Sequence, residues 1–209
     1  MVQQPFLTRI TKPIVSNSFM NGLGRRWGGG ANTNKNGKQF EHITSNEPHL
    51  LASGYILTEG FLMKDDEDAT RFYGKNTDLD DFLWKTFGVR LIRRPDEIYM
   101  TVWKNPRENQ KHRVKILEKK AQHAEGSVET KLWAADGLLH EYNEVFGERF
   151  EVEYAFCVNY YLEHCFTDPS AKRKYRILQD YLGKKGVPLF FGEDPAYFQQ
   201  LHDWIRRDA

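Results

Sequence analysis

The sequence predicts an α/β fold in which a mixed β-sheet is flanked by helices. Two apolar runs, residues 98–103 and 114–117, enclose a polar segment with Asn105-Pro106, which is typical of a β-hairpin. After this hairpin, helical repeats of apolar residues alternate with short strand-like runs. Alternation of this kind places helices against a sheet. A length of 209 residues with 40% hydrophobic content suits one domain, residues 1–209.

Composition narrows the classes of protein to which the chain can belong. The net charge of +1 excludes a chain that is basic throughout, although residues 104–120 hold seven Lys or Arg and only two Glu. This segregation is compatible with a DNA-binding face and equally with solvated surface charge. No apolar run reaches the length of about 18 residues that spans a bilayer, and residues 1–13 lack the apolar core expected of a signal peptide. The two cysteines lack metal-type spacing, so we predict reduced thiols in a cytoplasmic protein without zinc.

Residues 1–35 are predicted to form an irregular arm followed by a loop rich in Gly, Arg and Asn, ahead of a core over residues 36–209. Glycines let backbone amides approach a phosphate, and Arg, Lys and Asn side chains supply further donors. The alternative is a flexible surface loop. The candidate DNA-contacting residues of this segment are Arg25, Arg26, Asn32, Asn34 and Lys35.

The first predicted helix begins at Asn36 as its N-cap and ends before Pro48. Residues 49–76 predict only short core elements and loops, including the acidic run at 65–68. A second helix starts at residue 77 or 78 and ends at Gly88. Residues 89–92 then predict a strand that leads into the hairpin.

The register of the hairpin brings two acidic residues together. If its loop is centred on Arg107, residues whose numbers add up to 214 face each other, so Asp96 lies opposite Glu118. Facing residues in an antiparallel pair have Cβ atoms about 5 Å apart. Lys120 projects from the same face as Glu118, whereas Glu97 points to the opposite face. Two carboxylates beside a lysine suit a divalent metal and a phosphate.

The elements after the hairpin are predicted from caps and periodicity. They are a helix from Ser127 to Gly147, a half-buried strand over 150–158, a helix from Asp168 to Leu182, a buried strand over 187–191 and a helix opened by Asp194-Pro195.

Pro95-Asp96, followed by Glu118-x-Lys120 at the end of the next strand, resembles the signature of the PD-(D/E)XK nuclease superfamily. The continuation to Gln122, with Gly126-Ser127 opening a helix, resembles the type II restriction endonuclease branch. The resemblance is strongest over residues 94–133 and extends more loosely over 28–160. It implies a restriction-endonuclease-like core.

The resemblance also implies roles for the central residues. Asp96, Glu118 and the carbonyl of Lys119 would bind Mg²⁺, which prefers hard oxygen ligands. Lys120 would orient or deprotonate the attacking water and stabilise the pentavalent phosphate. The alternative for Lys120 is a surface ion pair with the two carboxylates.

Three residues outside this group receive roles from the same resemblance. Glu41, on a helix similar to the first helix of many such nucleases, would support the metal site. Gln122 would contact the scissile phosphate or a metal-bound water, and Ser127 would donate to a DNA phosphate from a helix N-terminus. The alternatives are an exposed glutamate, an edge-strand amide and an ordinary N-cap.

The function that these expectations imply is a Mg²⁺-dependent type II restriction endonuclease that cleaves double-stranded DNA at a specific short site, as a homodimer. A repair, junction-resolving or transposon-type nuclease with the same core is one alternative. The other is a non-catalytic DNA-binding module, in which Asp96, Glu118 and Lys120 are structural.

Overall fold

A seven-stranded mixed sheet with helices on both faces organises the chain, as a computed structural model shows. The structure describes residues 30–124, 128–170 and 172–207, with side chains from residue 36 onward. The predicted α/β class with a mixed sheet is therefore confirmed.

The strands lie in the sheet in the same order as in the sequence. Neighbouring strands are antiparallel from β1 to β5 and parallel from β5 to β7. The strands are β1 Ile56–Thr58, β2 Phe61–Asp65, β3 Ala69–Gly74, β4 Glu97–Trp103, β5 His112–Lys120, β6 Phe150–Val158 and β7 Leu189–Phe191.

Helices cover both faces of this sheet and make the parallel crossovers. The chain passes from β5 to β6 through α4 and α5, and from β6 to β7 through α6 and α7. The helices are α1 Gly30–Ile43, α2 Glu47–Ala52, α3 Asp80–Phe87, α4 Val128–Leu132, α5 Ala135–Phe146, α6 Tyr160–Thr167, α7 Arg173–Lys184 and α8 Tyr197–Arg206. None of these described helices is long and apolar enough to cross a bilayer.

Each face of the sheet has its own apolar core, because successive strand residues point to opposite sides. Ile116 and Tyr154 belong to the larger cluster, which includes residues of α3 to α7. Leu117 and Cys157 belong to the second cluster, with residues of α1, α2 and α8. Burial raises the pKa of the Cys157 thiol to about 12, in keeping with a core residue.

The predicted hairpin register is confirmed. Glu97 pairs with Leu117 and Thr101 with Arg113, so paired residue numbers add up to 214. The predicted loop lies between β4 and β5. One further step along this register brings Asp96 to Glu118.

The first helix begins earlier than predicted. α1 includes Gly30 to Asn36, so residues 30–35 are helical rather than part of a loop, and Asn36 is not an N-cap. Asn and Gly have weak helix propensity, and for this reason the local sequence of residues 30–36 predicts a loop. Phe40 and Thr44 are buried at the other end of the helix, and once a helix is anchored by packing, each further residue costs little to add. The helix ends before Pro48, as predicted.

The predicted strand over residues 89–92 is wrong. Gly88 adopts a left-handed conformation with φ of 71°, and the Val89 N–H donates to the Leu83 carbonyl at 3.2 Å. Val89 is thus buried as part of a helix C-cap rather than in the sheet. The strand beside β4 is instead β3, whose last residue, Gly74, lies in a segment predicted as loop. The N-cap of α3 is Leu79, not residue 77 or 78.

The helices after the hairpin also depart from the prediction. The single helix predicted from Ser127 is divided into α4 and α5, and Ser127 itself lies outside the described residues. Asp168 does not start α7, because its carboxylate accepts hydrogen bonds from the Ser170 N–H and hydroxyl, both at 2.7 Å, in a local turn. The short helix α6 was not predicted. β6 matches its prediction over residues 150–158, and β7 and α8 lie within the segments predicted for them.

Candidate functional site

Two carboxylates and one ammonium group converge where β4 begins and β5 ends. The Lys120 Nζ lies 2.6 Å from Glu118 Oε2 and 3.7 Å from Asp96 Oδ2. Asp96 Oδ2 also accepts a hydrogen bond from the backbone N–H of Lys119 at 2.6 Å. The structure therefore brings together the three residues that the hairpin register predicts.

The pKa values of Glu118 and Lys120 are both raised. Burial raises the pKa of Glu118; Lys120 opposes this effect and Asp96 adds to it. For Lys120, burial disfavours the ammonium, but Glu118 and Asp96 outweigh burial and raise its pKa. Lys120 is therefore an ammonium at neutral pH, held between two carboxylates.

The residues next in sequence form a buried network on the opposite face of the same strands. Glu97 is fully buried, and its Oε1 accepts hydrogen bonds from the Lys119 Nζ at 2.7 Å and the Tyr73 hydroxyl at 2.9 Å. The Tyr99 hydroxyl donates to Oε2, and the Asn46 N–H donates to Oε1 at 3.2 Å. Glu97 therefore points away from the candidate site, as predicted, and serves to hold the two strands together.

This buried network also fixes the helix that carries Glu41. The Lys119 Nζ donates to the Glu41 carbonyl oxygen at 3.3 Å, which joins α1 to β5. Partial burial raises the pKa of the Glu41 carboxyl, and the charge of Asp96 raises it further, whereas Lys119 and Lys120 lower it. Glu41 thus lies at the rim of the site, within electrostatic reach of Asp96.

Gln122 lies just beyond β5 and is braced by Asn159, a residue that sequence reasoning missed. The Gln122 N–H donates to Asn159 Oδ1 at 3.0 Å, and Asn159 Nδ2 donates back to the Gln122 carbonyl at 2.9 Å. The side chain of Gln122 is buried, and its Nε2 donates to the Ala124 carbonyl in the turn that follows. In the sequence, Asn159 follows a strand and precedes a helix, which identifies it only as an N-cap candidate. Its hydrogen bonds to Gln122 are visible only in the structure.

The residues predicted to contact DNA are only partly within the described chain. Arg25, Arg26 and Ser127 lie outside it. Asn32, Asn34 and Lys35 lie on the first turns of α1, where only the backbone is described.

The donor set of the site suits Mg²⁺. Asp96 and Glu118 contribute carboxylate oxygens, and the Lys119 carbonyl lies beside them, since it accepts a hydrogen bond from the Lys120 Nζ at 3.2 Å. Mg²⁺ characteristically takes one or two carboxylates and completes its shell with water and phosphate oxygens. Across the described residues, no three or more His, Cys, Asp or Glu side chains are placed to hold a metal together.

No protein-family model, curated protein or solved structure matches this chain.

Proposed function

We propose that this chain is a Mg²⁺-dependent endodeoxyribonuclease of the PD-(D/E)XK superfamily, and specifically a type II restriction endonuclease. The observation that carries the proposal is the convergence of Asp96, Glu118 and Lys120 at adjoining ends of β4 and β5. An acid pair with an ammonium between its members matches the needs of phosphodiester hydrolysis, in which negative charge accumulates on the phosphate.

The order of the surrounding elements supports the same proposal. A helix precedes an antiparallel group of strands, Asp96 immediately precedes β4 while Glu118 lies on the neighbouring β5, and a helical crossover leads to the parallel strand β6. A mixed sheet flanked by helices, with a glutamate on the first helix, is what the resemblance implies for the restriction-endonuclease-like core.

Each residue of the site has a role in this proposal. Asp96, Glu118 and the Lys119 carbonyl would hold Mg²⁺, which when bound polarises the phosphoryl oxygen and makes water more acidic. The Lys120 ammonium orients the attacking water and neutralises charge on the phosphate. The water oxygen bonds to phosphorus as the bond to the 3′ oxygen breaks; the water loses a proton to solvent and the leaving oxygen takes one up, which leaves 5′-phosphate and 3′-hydroxyl ends. Glu41 supports the metal site by contributing negative charge at its rim.

Action on a short specific site by a homodimer belongs to the same proposal. Palindromic DNA mirrors the two-fold symmetry of a dimer, so two copies would each present one site to one strand. This part of the proposal is supported by the Glu118-Lys119-Lys120-x-Gln122 sequence and the Gly126-Ser127 pair that follows it.

Digestion of unmethylated phage-length DNA with Mg²⁺ tests the proposal. The wild type is compared with Asp96→Ala and Lys120→Ala, and with Lys184→Ala, an exposed lysine at the end of α7, as the matched control. We expect discrete fragments from the wild type and the control only, and no fragments in excess chelator.

Other outcomes would distinguish the alternatives. A smear of products from the wild type would indicate a nuclease directed by DNA structure or damage rather than by sequence. Absence of cleavage, with Asp96→Ala binding DNA as the wild type does, would contradict the catalytic proposal and leave a DNA-binding module.

A further inference from the structure

Two buried tyrosines lie on the side of the sheet to which Glu118 points. Tyr142 is on α5 and Tyr154 is on β6, with exposed fractions of 2% and 1% and ring centroids 6.1 Å apart. Neither hydroxyl has a hydrogen-bond partner within the described part of the chain. Buried hydroxyls are nearly always paired, so two unpaired ones side by side call for an explanation.

The strand register places Tyr154 two residues from the pairing position of Glu118, on the same face of the sheet. Tyr154 pairs with Ile116 across β5 and β6, and Glu118 follows two residues later on the same face of β5. Helix α5, which carries Tyr142, packs over this face against β6. After burial itself, the charge of Glu118 is the strongest influence that raises the pKa of each tyrosine.

The Glu118 carboxylate has the capacity to accept further hydrogen bonds. Its Oε2 accepts from the Lys120 Nζ at 2.6 Å, and a carboxylate has about four lone-pair sites. A buried water is typically held by about three polar groups that would otherwise be unpaired. Two tyrosine hydroxyls and one carboxylate supply that number.

We propose that the hydroxyls of Tyr142 and Tyr154 hold one ordered water against the carboxylate of Glu118. They are positioning residues, because they act on the reaction only through the orientation of Glu118. The water site does not depend on the proposed function, whereas its effect on metal binding rests on that function. Outer groups that orient a ligating carboxylate commonly raise metal affinity about 10- to 100-fold.

A purely apolar role for the tyrosines predicts the opposite result on stability. If the hydroxyls are unpaired, replacing Tyr with Phe removes a destabilising group and leaves the melting temperature unchanged or higher. If they hold a water, the same substitution breaks hydrogen bonds and lowers the melting temperature.

The first experiment is thermal unfolding of the full chain in chelator, for Tyr142→Phe and Tyr154→Phe. We expect each to lower the melting temperature by about 2–4 °C. Tyr181→Phe is the control, since Tyr181 lies on α7 and its hydroxyl makes a surface hydrogen bond to the Trp133 carbonyl at 3.3 Å; a smaller change is expected there. An unchanged or raised melting temperature for either Tyr142→Phe or Tyr154→Phe would overturn the proposal.

The double variant tests whether one water is shared. Because either substitution disrupts the same site, we expect the double variant to lose less than the sum of the two single losses. Additive losses would contradict a single shared water.

Calorimetric titration with Mg²⁺ alone tests the effect on Glu118. We expect the dissociation constant to rise about tenfold in each single variant and to stay unchanged in Tyr181→Phe. An unchanged constant in the site variants would overturn the positioning role. A wild type that binds no Mg²⁺ would contradict the proposed function, while the thermal series would still decide the water site.

Discussion

Lys119 and Lys120 are neighbours in sequence and occupy opposite faces of β5. The ammonium of Lys120 lies between Asp96 and Glu118, while that of Lys119 lies against the buried Glu97 and reaches the carbonyl of Glu41. Alternation along one strand thus places Lys120 in the candidate site and Lys119 in the contact that holds the strands and α1 together.

Loss of the buried ammonium should destabilise the fold. We expect Lys119→Met to lower the free energy of unfolding by about 3–5 kcal/mol, because it leaves Glu97 buried without its cationic partner. The double variant Glu97→Gln with Lys119→Met should recover part of the loss, since it removes both charges. Urea denaturation measures both, and a loss below about 1 kcal/mol in Lys119→Met would contradict a structural role.

The raised pKa of Glu118 predicts a pH-dependent stability in the metal-free protein. Burial and Asp96 raise this pKa above 4.5, the ordinary value expected in the unfolded chain, although Lys120 opposes the change. The Glu118 carboxyl therefore keeps its proton to a higher pH in the native state than in the unfolded chain. The stability that neutral Glu118 contributes is fully present below pH 4.5, and it is lost as the pH rises through the pKa of the folded state. Gln does not titrate, so the melting temperature of Glu118→Gln should rise relative to the wild type over this interval.

Melting temperatures in chelator from about pH 4 to about pH 8 test this expectation. Glu148→Gln, at an exposed position before β6, is the matched control for the substitution itself. A difference for Glu118→Gln that stays constant or shrinks as the pH rises would refute the assigned direction.

Among the elements, α1 and the segment after β7 pack so closely at Gly192 that no side chain fits at this position. A Cβ on Gly192 would lie 2.6 Å from Cγ2 of Thr44 and 2.8 Å from Sγ of Cys157. These are closer than any ordinary carbon contact, and both neighbours are buried. Close approach here keeps α1, with Glu41, against the sheet.

Substitution of this glycine should loosen that contact. We expect Gly192→Ala to lower the free energy of unfolding by about 1–3 kcal/mol, because the added methyl overpacks a buried site. Gly183→Ala on α7 is the control: its Cβ would meet nothing within 4 Å, and Ala in a helix stabilises by about 0.5–1 kcal/mol. Equal effects of the two substitutions would show that packing at Gly192 is not the cause.

Elements with strong periodicity were predictable, and those fixed by tertiary packing were not. The alternation of residues 150–158 and the hairpin register are local patterns, and both are confirmed. The early start of α1 depends on burial of its distant end, and Val89 is buried through a helix cap. Helix and strand propensities describe neighbouring residues only, so they predict neither the extension of α1 nor the burial of Val89.

At the scale of the whole molecule, the sheet changes at β5 from antiparallel to parallel pairing. Because β4 runs opposite to β5, its start lies at the sheet edge where β5 and β6 end, and Asp96 and Lys120 meet there. Sequence alone could predict Asp96, Glu118 and Lys120, since one hairpin register determines their positions. It could not predict Asn159, Tyr142 or Tyr154, which reach the same region through the β5–β6 crossover.

The most direct test of the central claim is the rate of Mg²⁺-dependent DNA cleavage by Lys120→Met, with the folded state checked by circular dichroism. We expect the wild type to cleave and the folded variant to be slower by at least about 10²- to 10³-fold, because transition-state charge on the phosphate is no longer neutralised. A folded variant that cleaves at the wild-type rate, or a wild type that does not cleave, would contradict it.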